Sequence, residues 1–103
     1  MIRHMVLLRF RPEVSASDRA ALMCDLDGLR ARLPGIVTFA ALRNVSPEEP
    51  VVHGFEDGFI VDFRDEAARD AYLADEVHRA IGARLVAACS GGTEGLIVFD
   101  HAL

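Results

Sequence analysis

The chain carries four histidines, one tyrosine and two cysteines, and most of its capacity for chemistry lies in them. An imidazole near neutral pH can take a proton from a carbon beside a carbonyl. A phenol can hold the oxygen on which the resulting charge gathers. His4 stands near the N-terminus, His53 follows Pro50, His78 follows Asp75 and Glu76, and His101 follows Asp100. Tyr72 comes six positions before His78. His4, Glu56, Asp57 and His78 are residue types that bind metals, but they lack local ligand spacing, and no metal site is implied. Cys24 and Cys89 form no metal or redox motif and read as buried free thiols in apolar helical patterns. Gly91-Gly92 does not open a helix, so it is no phosphate cradle, and Ser90 lacks a nucleophile-elbow setting.

The elements that must position these groups follow from periodicity. Ile2 to Arg11 alternates as a strand, with Ile2, His4, Val6, Leu8 and Phe10 on one face. Pro12 ends it. Ser15 or Ser17 caps a helix whose apolar face carries Leu22, Leu26, Leu29 and Leu33, and Pro34-Gly35 stops it. Ile36 to Asn44 is a second strand, and Val45 to Gly54 a loop. Phe55 to Phe63 is a third strand, with Phe59, Val61 and Phe63 on one face and Glu56, Gly58, Ile60 and Asp62 on the other. Asp65 caps a short helix through Tyr72 and Leu73. Asp75 caps another, which buries Val77, Ile81 and Leu85. Thr93 to His101 is the last strand.

The order β-α-β-β-α-β is ferredoxin-like: an α+β fold with a four-stranded antiparallel sheet and helices on one face. Residues 1–103 make one domain, without linker or repeat. If the His4 face lines a pocket, His4 and Asp57 or Glu56 would supply its polar groups. His53 sits in a loop that could cover such a pocket.

Two helices cover only one sheet face, yet the strands are apolar on both. Val6 and Leu8 alternate with Met5 and Leu7; Ile97 and Phe99 alternate with Leu96 and Val98. A second copy packed sheet on sheet would cover the other face, so a homodimer is expected. With 51% hydrophobic and 26% charged residues the chain is globular. A net charge of −5, with every positive charge on Arg and no run of like charge, argues against a nucleic-acid binder. No stretch is long and apolar enough to span a membrane, and the first ten residues read as a strand, not a signal peptide. The expected setting is a reducing cytoplasm.

The chain resembles the stress-responsive A/B barrel (Dabb) proteins over nearly its whole length. The resemblance rests on the opening strand Ile2 to Phe10, the turn Arg43-Asn44-Val45-Ser46-Pro47, and Phe63-Arg64-Asp65. It continues through Ala71-Tyr72-Leu73, His78 and the closing Leu96-Ile97-Val98-Phe99-Asp100. It implies a homodimeric barrel of two ferredoxin-like sheets. The family includes plant stress proteins and a metal-free polyketide cyclase that uses a Tyr-x5-His arrangement, which Tyr72 and His78 match. By that resemblance His78 is the catalytic base and Tyr72 the hydrogen-bond donor, acting on a small apolar carbonyl or polyketide-like ligand with no cofactor. The family pattern usually has His and Pro where this chain has Asp75 and Glu76.

Asp75 keeps the helix break, and that break is what would let Tyr72 and His78 converge. The positive end of the helix disfavours a charged His78, while Asp75 and Glu76 favour it. The alternative is a non-enzymatic stress-responsive dimer with a filled barrel. Heme-degrading and quinone-forming monooxygenases share the topology but not these motifs.

Overall fold

A computed structural model describes residues 1–103. The strands are β1 (Ile2–Leu8), β2 (Ile36–Arg43), β3 (Asp57–Phe63) and β4 (Leu96–Ala102). The helices are α1 (Ala16–Gly28), a single turn α2 (Glu49–Val52), α3 (Glu66–Ala74) and α4 (Glu76–Ala88). The four strands form one antiparallel sheet in the order β2-β3-β1-β4. The ferredoxin-like order expected from periodicity is therefore present.

The caps form as the sequence implies. The Ser15 hydroxyl accepts from the Asp18 amide at 3.1 Å and opens α1. Asp65 accepts from the Ala68 amide at 2.8 Å and opens α3. The 3-10 turn Leu29–Ala31 closes α1, with Leu22, Leu26 and Leu29 all buried. Between α4 and β4, Gly91 and Gly92 take φ of 77° and 65°, left-handed values that a side chain would strain.

Several boundaries move. β1 ends at Leu8, and Phe10 makes an isolated bridge to Cys89 instead of extending the ladder. β4 starts at Leu96, because Gly92–Gly95 winds into a 3-10 turn and Gly95 packs against the Ser90 backbone. The 45–54 loop contains α2, which turns to bury Val52. Val77 is exposed; the buried face of α4 is carried by Ile81 and Leu85. Cys24 is exposed on α1, while Cys89 is buried.

The core lies between the helices and one sheet face. It gathers Ile2, Val6, Leu8 and Phe10 with Phe59, Val61 and Phe63 under Leu22, Leu26, Leu29, Tyr72, Ile81 and Leu85. The opposite face carries Met5 beside Ile60 and Phe99, and Leu7 beside Gly58 and Ile97. Ile97 and Phe99 are 44% and 64% exposed there. Amid this apolar surface, Arg3 holds Asp62 through two hydrogen bonds of 2.9 and 3.0 Å, and Thr38 donates a third at 3.1 Å. The hydrogen bonds from Arg3 hold the Asp62 carboxyl below the usual carboxylate range against the effect of burial.

Candidate functional site

His4 points to the helix side of β1 and is buried, at 5% exposure, among aromatic rings. Its ring lies 6.5 Å from Phe59, 6.2 Å from Phe63 and 5.8 Å from Tyr72. The β1–β4 register sets His4 directly opposite Asp100. Their side chains meet on the same face, Nδ1 to Oδ1 at 2.6 Å. The other Asp100 oxygen accepts from Arg69 of α3 at 2.8 Å. Burial pulls the Asp100 carboxyl upward, but the hydrogen bonds from His4 and Arg69 outweigh it and hold the group below the ordinary value.

Tyr72 and His78 come together because the helix breaks between them. On one straight helix they would stand about 120° apart around the axis and ~9 Å apart along it. Asp75 instead takes extended angles, φ −67° and ψ 130°. Its amide closes α3 on the Tyr72 carbonyl at 3.2 Å, and its carboxylate opens α4 by accepting from the His78 amide at 3.0 Å. Arg32, after α1, grips the same carboxylate at 2.8 Å. The corner so made sets the Tyr72 and His78 rings 3.8 Å apart, centroid to centroid, tilted by 35°.

Two polar atoms in this cluster are buried without a partner: the Tyr72 hydroxyl and His78 Nδ1. A buried polar atom left unbonded is costly, so such a pair marks a place prepared for something polar. Burial pushes the Tyr72 phenol well above its ordinary value, which makes it a hydrogen-bond donor that keeps its proton. Burial lowers His78, with a further push from nearby His4; the Asp75 carboxylate and the Tyr72 backbone oppose only part of it. His78 is thus a neutral imidazole at pH 7. His78 as a residue is half-buried, so the cluster lies close to the surface there.

Asp57 does not join this cluster. It pairs with Leu8 at the far end of β1, four residues or about 13 Å from His4 along the strand. There it binds Arg19 at 3.2 Å and Arg43 at 3.4 Å, and lines a separate cavity of about 430 Å³ with Phe10, Val14 and Met23. The expected pairing of His4 with Asp57 or Glu56 is replaced by His4 with Asp100, because the polar partner comes from β4 and not from β3. His53 flanks another cavity of about 450 Å³ on the opposite sheet face, away from Tyr72. His101 sits opposite Arg3 on that same face. None of the four main cavities is lined by His4, Tyr72 or His78. No group of three His, Cys, Asp or Glu side chains is arranged to hold a metal ion.

The fold and this aromatic–imidazole corner can be set beside known proteins. The family model of the stress responsive A/B barrel domain matches residues 2–102. The chain belongs to the Dabb family. A dimeric ferredoxin-like protein of unknown function from Jannaschia sp. is similar at 33% identity and TM-score 0.89, over 99% of this chain and 98% of that one. A Dabb protein from Mesorhizobium loti, 23% identical with TM-score 0.76, covers 99% of this chain and 95% of its own. A hydroxynitrile lyase from Passiflora edulis, 16% identical with TM-score 0.84, covers 99% and 92% and shares the fold. No curated protein matches the sequence significantly.

In this Dabb protein the sequence reading missed Asp100, Arg69 and Arg32 as parts of the site. Asp100 was within reach: pairing β1 against β4 by their alternation sets it across from His4. Arg69 and Arg32 carry no such signal, since exposed arginines on helices are ordinary.

A pH dependence follows from His78. Its folded pKa is depressed from 6.5, so the unfolded chain binds the extra proton first. The stability tied to neutral His78 is complete above pH 6.5 and is lost as pH falls through the folded pKa. Urea denaturation between pH 7.5 and about 5 should show wild type losing more stability than His78→Gln. Parallel curves for the two proteins would contradict a buried, neutral His78.

Proposed function

We propose that this Dabb protein is a homodimer that binds a small, largely apolar carbonyl compound at the Tyr72–His78 corner and moves a proton on it. The observation that carries the reading is the pair of buried, unpartnered atoms, Tyr72 Oη and His78 Nδ1, on rings 3.8 Å apart. A carbonyl oxygen would satisfy the phenol. The neutral imidazole would then take a proton from the adjacent carbon, and Tyr72 would stabilise the enolate oxygen. Enolisation of this kind begins an aldol-type ring closure, so a polyketide-like substrate is the natural class. No step needs a cofactor.

The surroundings are apolar, which suits an apolar ligand: the rings of Phe59, Phe63 and Tyr72 pack around His4. The dimer reading is supported by the apolar second sheet face, with Phe99 64% exposed, and by the dimeric state described for the Jannaschia protein. Covering that face with a second copy would remove a patch that soluble monomers rarely carry.

A second reading is a non-enzymatic dimer with a filled interior. It is favoured by one observation: none of the cavities of about 360 to 450 Å³ is lined by Tyr72 or His78. Ligand entry would then require the α3–α4 corner to open at Asp75.

Thermal unfolding with a panel of aromatic and polyketide-like carbonyl compounds separates the two. A ligand at 100 times its Kd adds about 2.7 kcal/mol of apparent stability, a rise of several degrees for a domain of this size. Wild type should shift and His78→Ala should not. No shift in either protein would leave the filled dimer as the better account. Sedimentation at micromolar concentration should give a dimer for wild type and a monomer for Phe99→Glu; a monomeric wild type would overturn the dimer reading.

A further inference from the structure

We infer that His4 is the second acid–base group of this site, giving a proton to the ligand oxygen held by Tyr72 and taking it back, with Asp100 and Arg69 as its positioning residues. This rests on the acid–base reading above and adds the group that reading lacks. An enolate oxygen needs a proton to become an enol. Tyr72, buried at 1% exposure, can hold that oxygen but does not release its own proton. His78 is occupied with the proton from carbon. The remaining titratable side chain packed on Tyr72 from the sheet is His4, at 5.8 Å between ring centroids.

The geometry around His4 is that of an oriented proton carrier. Asp100 Oδ1 at 2.6 Å fixes Nδ1 as the nitrogen that keeps its proton in either charge state. Nε2, on the far side of the ring, is then the nitrogen that gives or takes one. Arg69 at 2.8 Å holds the second carboxylate oxygen, so Asp100 cannot turn away. Asp100 is itself partly exposed, with 28% of its side chain open, so the line runs from the surface inward to the buried His4 ring. The charged and titratable groups facing His4 are Asp100 from β4, Arg69 and Tyr72 from α3, and His78 from α4.

The step balances. His78 takes the proton from the carbon beside the carbonyl; the C–H pair becomes the C=C bond, and the C=O π pair moves to oxygen. Oxygen takes the Nε2 proton of doubly protonated His4. The products are an enol, an imidazolium at His78 and a neutral imidazole at His4. Reversal restores the ketone. Exchange of the His78 proton with solvent between turnovers lets the carbon regain a deuteron in heavy water.

The test is deuterium uptake into the methyl group of acetophenone in D2O, followed by NMR across pH, with unfolding midpoints recorded on the same samples. Wild type should exchange. His78→Ala should abolish exchange. His4→Gln and Asp100→Asn should lower the rate by about 100-fold or more, the scale of a lost acid–base group. The pH profile of exchange should change in His4→Gln, while the acetophenone-induced rise in midpoint is kept. Exchange in His4→Gln within about threefold of wild type, with the same pH profile, overturns the role of His4 and leaves the His78 reading standing. No exchange in wild type overturns both.

Discussion

A four-stranded sheet covered by helices on one side has two unlike faces, and each strand residue belongs to one of them by parity. In this chain parity puts His4 on the covered side, in line with Ile2, Val6 and Leu8. A histidine there must find a partner or stay unbonded in an apolar core. β4 supplies the partner, Asp100, at the position the antiparallel register dictates, and α3 supplies Arg69 to complete it. The same parity puts Arg3, Asp62 and Thr38 on the open face, where they form a second polar island. Both islands sit near the end of the sheet marked by Ile2 and Phe63, one on each side of it.

The second constraint is the break at Asp75. One carboxylate ends up serving two partners: the His78 amide and the Arg32 guanidinium. The backbone hydrogen bond from His78 is the larger cause that keeps this carboxyl below the usual range, with Arg32 adding to it. Without a break, Tyr72 and His78 would diverge. With it, a phenol that keeps its proton and an imidazole that stays neutral face each other across 3.8 Å. The charge of the site is held by Asp100 and Arg69 behind His4, and its neutral groups stand at the corner beside them. A site that separates charged from neutral titratable groups in this way can run acid and base chemistry at one pH.

Much of this was legible in the sequence, for reasons that can be traced. The caps Asp65 and Asp75 are local signals and formed as read, and of the two serines the sequence offered, Ser15 caps α1. The two apolar faces of β1 and β4 announced an uncovered sheet. The convergence of Tyr72 with His78 was legible because Asp75 marks a helix break. Long-range pairing was harder: Asp57 looked close to His4 through β3, yet the register sets it beside Leu8, at the other end of the strand. Asp100 was hidden by its place near the C-terminus, where frayed ends are common, although β4 pairs along its full length. Val77 follows the helical apolar pattern but is exposed, and Ile81 and Leu85 alone carry the buried face of α4.

The most direct measurement of the central claim is a nitrogen-15 NMR spectrum of the histidine side chains near pH 7. The account predicts that His4 carries a proton on Nδ1, bonded to Asp100, in whichever charge state it is found. It also predicts that His78 is neutral. A His4 with a bare Nδ1, or a fully charged His78 at that pH, would contradict it.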